Sequence, residues 1–152
     1  MIIPQEMKVC YLKPNLILIS HGQLAEHAHK SAEMIMGEID GMYSICMMHG
    51  DGLEGTTEKL GAVLDKIGAD APVVIVADMM AGTPCNVAVQ AMYGRDNVRV
   101  VAGLNLPMAI EYAVSDEEGL DEMAGFLCEV GCEAVKVVEK PRMDNWEEGY
   151  ED

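Results

Sequence analysis

Short runs of consecutive apolar residues recur at Leu16 to Ser20, Tyr43 to Met47, Val73 to Ala77, Val98 to Ala102 and Ala134 to Val138. Their length and β-branched content predict strands. The stretches between them carry apolar residues at helical spacing. Leu24, Ala28, Ala32, Ile35 and Met36 lead to Gly37, a helix stop. Leu60, Val63, Leu64 and Ile67 follow Thr56 and Thr57, either of which could cap, and end at Gly68. Pro84 to Tyr93 and Pro107 to Val114 predict two shorter helices, each opened by a proline that has no N–H to lose. Ser115 and Glu118 have the spacing of a capping box ahead of a last helix striped by Leu120, Met123, Ala124, Leu127 and Cys128. Strands apolar on both faces that alternate with helices imply a parallel sheet covered on both sides, an α/β three-layer sandwich.

The chain has 152 residues, half of them apolar, enough for one domain with a substantial core. Residues 1–14, ending in Lys13-Pro14, read as an N-terminal arm, 15–140 as the domain, and 141–152 as an acidic tail containing Asp144, Glu147, Glu148, Glu151 and Asp152. No apolar run approaches the roughly 20 residues that span a bilayer, and Pro4, Glu6 and Lys8 break any leader-like stretch. A soluble, cytoplasmic protein is expected. The five cysteines are scattered without CxxC spacing, which suits reduced thiols in apolar surroundings. The thirteen methionines fall largely in or beside apolar stretches and are expected to pack where aromatics are few. A formal net charge of −16 removes the basic footprint that nucleic acid requires; it suits a basic protein surface as partner, or serves only to keep the chain soluble.

Chemistry in open α/β sheets gathers at the carboxyl ends of strands, and three loops there stand out. Ser20-His21-Gly22 places an imidazole at the end of the first strand. Neutral near physiological pH, imidazole is a nucleophile. Asp78-Met79-Met80-Ala81-Gly82-Thr83-Pro84-Cys85-Asn86 follows the third strand, with Asp78 at the strand end and Thr83 expected to cap the helix that Pro84 opens. Such a helix start offers free N–H groups and a positive dipole end to an anion. Gly103-Leu104-Asn105-Leu106-Pro107 is built alike. With the first and third strands adjacent, as in the flavodoxin-like order 2-1-3-4, His21 and Asp78 emerge side by side. The carboxylate would then fix the imidazole tautomer and compensate the cation formed on attack. Taken singly, His21 could be a structural strand-end histidine and Asp78 a turn residue; together they point to phosphoryl chemistry on the imidazole. His27 and His29, two apart on a helix, make a poor metal pair, and no metal or cofactor is expected. His49, in the turn after the second strand, is placed at the rim and given no catalytic role.

From Asn15 to Val138 the chain resembles the enzyme IIA domain of the mannose family of the bacterial phosphoenolpyruvate-dependent sugar phosphotransferase system. The likeness rests on Ser-His-Gly at 20–22, Asp-x-x-x-Gly-Thr-Pro-x-Asn at 78–86 and Gly-x-Asn-x-Pro-Met at 103–108. It implies that His21, through Nε2, accepts a phosphoryl group from HPr and passes it to a histidine on enzyme IIB, and so serves membrane subunits of a sugar transporter indirectly. It further implies that Asp78 orients and charge-compensates His21 and that Thr83 helps to bind the phosphoryl group. A homodimer is implied too, with the strand at Ala134 to Val138 exchanged between subunits and antiparallel to the rest. The chain departs from the family's usual aromatic and second glycine at Met80 and Ala81, and from its frequent phenylalanine at Cys85.

Three other readings compete. A response-regulator receiver with Asp78 as acceptor lacks the acidic pair after the first strand that holds Mg²⁺. A phosphohistidine subunit of dihydroxyacetone kinase, or a regulatory phosphocarrier, keeps the chemistry but changes the pathway. A non-catalytic dimeric module would use the same cleft for a small anion.

Overall fold

A computed structural model describes residues 12–142; residues 1–11 of the expected arm and 143–152 of the expected acidic tail lie outside it. The elements are β1 (Asn15–His21), α1 (Leu24–Met36), β2 (Met42–Met47), α2 (Gly52–Ile67), β3 (Val73–Ala77), α3 (Thr83–Gly94), β4 (Val98–Ala102), α4 (Leu106–Val114) and α5 (Leu120–Glu133). The four strands form one parallel sheet in the order β2-β1-β3-β4. This is the expected order, and it puts β1 and β3 side by side at the centre.

Strand side chains alternate between two cores. Leu16, Leu18, Val74 and Val76 pack with Ala25, Ala32, Met108, Tyr112, Met123 and Leu127 from α1, α4 and α5. Ile17, Ile19, Val73, Ile75 and Val98 pack with Leu60, Leu64, Cys85, Val87 and Ala88 from α2 and α3. Because both faces are covered, the central strands read as unbroken apolar runs. Tyr112 joins α4 to the entry of β1: its buried hydroxyl donates to Pro14 O at 2.9 Å, burial pushes its pKa up to about 12, and Lys13 Nζ stacks 4.2 Å from the ring centre. Lys13 and Pro14, expected in the arm, are thereby tied to the domain.

Four local expectations change. Helix α2 begins a turn before Thr56 and Thr57, whose hydroxyls instead donate back to Gly52 O and Leu53 O at 2.6 and 2.7 Å. Ser115 ends α4 rather than capping α5, its hydroxyl accepting from the Glu117 amide at 3.1 Å, and α5 starts after Gly119 with no side-chain cap. The Ala134 to Val138 segment makes no strand: Ala134 closes α5, and Val135, Val137 and Val138 stand 79%, 93% and 90% exposed. An extended segment is held only by a ladder partner, and this sheet contains none for it. Finally, of the methionines expected to pack, Met42, Met108 and Met123 are buried, whereas Met34, Met36, Met48 and Met92 are exposed.

The link from β3 to α3 contains Ala81 at φ 62°, the only non-glycine residue with positive φ among the described residues. A Cβ in this region crowds the following carbonyl and costs about 1–2 kcal/mol, offset in part by alanine's smaller loss of backbone freedom on folding. Ala81→Gly is therefore expected to raise the unfolding free energy by about 0.5–1 kcal/mol in a denaturant titration. A loss of stability would contradict the strain.

Candidate functional site

Register brings the site together. Ile19 lies opposite Ala77 and His21 opposite Met47, so the residue that follows Ala77 reaches back over the end of β1. That residue is Asp78, whose own amide donates to Ile19 O at 3.1 Å. Its carboxylate is fully engaged. Oδ1 accepts from the Met79 amide at 2.8 Å, and Oδ2 accepts from the His21 amide at 2.9 Å and faces His21 Nδ1 at 2.7 Å. A carboxylate has no proton to give, so the imidazole donates from Nδ1 and its Nε2 keeps a free lone pair. The His21 side chain is 42% exposed and that of Asp78 only 10%, which leaves the nucleophilic edge open and the orienting group enclosed.

The free edge of the ring lies against the start of α3. A Cβ built on Gly82 would fall 2.7 Å from His21 Cε1 and 3.3 Å from Nε2, so this position excludes a side chain through close approach alone. Gly82 is the N-cap residue, which corrects the expectation for Thr83: the threonine is the first helical residue, half-buried, and no side chain caps the helix. The first amide to close a helical bond is Asn86, to Gly82 O at 2.9 Å. Pro84 has no N–H, and the amides of Thr83 and Cys85 hold no backbone acceptor among the described residues. An uncapped helix start thus meets Nε2, and free N–H groups there suit an anion.

The third loop differs from this. Asn105 caps α4 by accepting from the Met108 amide at 3.3 Å and donates to Gly131 O at 3.0 Å. Gly103, at φ 110°, lets its own amide and that of Leu104 both bond Ala77 O, at 2.9 and 3.0 Å. This loop steadies the end of β3 beneath Asp78 and offers less to an anion. Its Gly-then-Pro spelling matches that of the second loop; only the side-chain cap separates the two roles.

Sequence reasoning missed two contributors. Buried Ser20 accepts from the Ala25 amide through Oγ at 2.7 Å, binding the first turn of α1 to the strand end next to His21. The signal was a serine inside an apolar strand. The other is Gly82, whose role is the space it leaves for the His21 ring. His27 is exposed and His29 half-buried with Nε2 3.3 Å from Glu33 Oε1, so the two do not act as a pair. Cys128 and Cys132, expected in apolar surroundings, are exposed; among the described residues Cys85 is the buried thiol. A concavity of about 740 Å³ lies by Pro72 and Leu120, and its lining contains neither His21 nor Asp78. Its five carboxylates (Asp70, Glu117, Glu118, Asp121 and Glu122) repel the anion that the α3 start attracts.

The chain also has clear likenesses among known proteins. Residues 15–126 match the EIIA-man family model, described as the PTS system fructose IIA component. The PTS system mannose-specific EIIAB component of Escherichia coli K12 is 32% identical over 125 residues, covering 81% of this chain and 39% of that protein. This chain therefore spans about two fifths of that relative's length. The PTS system sorbose-specific EIIA component of Lacticaseibacillus casei is 32% identical over 100 residues, 66% of this chain and 72% of that one. A mannose/sorbose-specific IIA subunit from Enterococcus faecalis superposes with a TM-score of 0.83 at 47% identity, covering 87% of this chain and 99% of that structure. Three motif loops, the strand order and these likenesses converge: the chain belongs to the mannose-type enzyme IIA family of the phosphotransferase system.

Proposed function

We propose that the chain is a phosphohistidine relay of sugar uptake: His21 accepts a phosphoryl group from HPr and passes it to a histidine on enzyme IIB of a mannose-family transporter. The observation that carries this reading is the 2.7 Å contact of His21 Nδ1 with Asp78, which directs the Nε2 lone pair outward beside an uncapped helix start. In the forward step the bond from phosphorus to the donor breaks as P–Nε2 forms. The Nδ1 proton stays in place, and Asp78 balances the positive ring that results. The Thr83 and Cys85 amides and the Thr83 hydroxyl receive the phosphoryl oxygens. Return of the electron pair to Nε2 releases the group to the next histidine. Little covalent work is asked of the protein beyond orientation and charge placement.

Partners reach His21 at an open rim where Leu24, Met48, Leu53, Met79 and Met80 are exposed. The net charge of −16 favours basic docking surfaces on them. No helix among the described residues is long and apolar enough to cross a membrane, which suits a cytoplasmic shuttle between proteins. The chain acts as a homodimer in which residues 134–138 pair antiparallel with the partner. Support comes from the exposed valines at 135, 137 and 138 and from β4, which has no neighbour beyond it in the sheet.

Incubation with phosphoenolpyruvate, enzyme I and HPr is expected to place one acid-labile phosphate on His21, read by mass spectrometry of the peptide. Its absence while HPr is itself phosphorylated would overturn the reading. Asp78→Asn keeps the volume but removes the compensating charge; transfer from phospho-HPr should slow on the order of a hundredfold in rapid-quench measurements. Wild-type rates would remove Asp78 from the mechanism. Truncation before Cys132 should convert the dimer to monomer in light scattering, and a persisting dimer would contradict strand exchange.

A further inference from the structure

A second imidazole lines the cleft at the relay histidine. His21 and His49 line one cleft of about 340 Å³, completed by Gly22, Met47, Met48, Gly50 and Gly52. The two imidazoles are the only side chains in that lining able to donate a strong hydrogen bond or carry positive charge. His49 itself is exposed, so its ring is accessible to a group bound beside it.

The loop that bears His49 is held in place from several sides. The Met48 amide donates to Asp51 Oδ2 at 2.6 Å, and Lys59 Nζ donates to the same oxygen at 2.6 Å and to Cys46 O at 2.9 Å. The Asp51 amide closes the turn on Met48 O at 3.1 Å, and the Gly22 amide joins the loop to the end of β1 through Met47 O at 2.8 Å. Lys59, beside Asp51, holds that carboxyl below its usual range, with the Met48 amide adding to the effect. Gly50, at φ 90°, permits the sharp reversal just after His49.

Charge decides what His49 is for. A phosphoryl group on His21 brings between one and two negative charges to a place where Asp78 already sits. Two lysines on the flanking elements are already paired, Lys59 with Asp51 and Lys30 with Glu26. Glu54, in the first turn of α2, adds a further carboxylate on that side. The α3 start supplies partial positive charge from one side of Nε2 only. In the cleft lining, His49 is the one side chain besides His21 itself that can carry positive charge.

We propose that His49 is a second phosphoryl-binding residue of the phosphorylated state, donating a hydrogen bond from its imidazole to a phosphoryl oxygen carried by His21 Nε2. This rests on the relay reading of His21. It adds no covalent step: no bond to His49 forms or breaks, and its ring acts on the phosphorylated chain alone. Its contribution therefore appears in the equilibrium constant for transfer from phospho-HPr, which depends on the free species and not on how tightly they dock. A residue that only shapes the loop or contacts the partner would leave that constant unchanged.

The experiment equilibrates full-length chain with phospho-HPr and measures both phosphorylated species for wild type, His49→Ala and His49→Lys, with HPr binding to the unphosphorylated chains measured alongside. For His49→Ala the equilibrium constant should fall about tenfold, as expected for one charge-assisted hydrogen bond. His49→Lys, which again supplies a hydrogen-bond donor, should return it to within about threefold of wild type. Affinity for unphosphorylated HPr should be the same in all three. An alanine value within about twofold of wild type, or no recovery with lysine, would overturn the role of His49 while leaving His21 as the acceptor. Failure of the wild-type chain to take phosphate on His21 would overturn both proposals.

Discussion

One carboxylate oxygen governs the site. Asp78 Oδ2 accepts from both the amide and the ring of His21, at 2.9 and 2.7 Å. The backbone bond fixes where the histidine leaves the strand, and the ring bond fixes which nitrogen is free. A charge-assisted bond of this kind contributes about 1.5–3 kcal/mol, yet its chief effect is orientation. Without it the imidazole could turn Nε2 away from α3 or hold its proton on the wrong side. The fold serves this contact by setting β1 beside β3 in a register that lets Asp78 arch over Ile19.

What surrounds the pair is arranged to leave it accessible. Gly82 surrenders its side chain so that the ring edge can approach the first turn of α3, and Ala81 accepts a left-handed backbone to bring the loop round. Strain at such a loop is sustained by a rigid frame, here the fully buried Val73–Ala77 strand and the Gly103 and Leu104 amides clamped on Ala77 O. Exposed methionines on the rim keep the contact surface soft, since an unbranched thioether adapts its rotamers to more than one partner.

Much of this was legible in the residues. Unbroken apolar runs such as Val73 to Ala77 specified buried parallel strands, and the strand-end placement of His21 and Asp78 specified their meeting, because both are consequences of local pattern. Helix boundaries were less legible. Thr56, Thr57, Thr83 and Ser115 each have capping chemistry, but a hydroxyl can bond back into a helix or cap it, and the choice is made by tertiary packing. The strand expected from the apolar run at Ala134 to Val138 does not form, because Val135, Val137 and Val138 find no ladder among the described residues. Nor could spelling separate the two Gly-then-Pro helix starts, one occupied by Asn105 and one free.

The central claim is that Asp78 holds the proton on Nδ1 and presents Nε2 to phosphorus. Nitrogen-15 NMR of selectively labelled histidine tests it directly. The account predicts that the neutral His21 ring of the unphosphorylated chain shows a protonated Nδ1 and a bare Nε2, and that phosphorylation shifts Nε2 with coupling to phosphorus while Nδ1 keeps its proton. A proton on Nε2 in the resting chain, or phosphorus on Nδ1 after transfer, would contradict it.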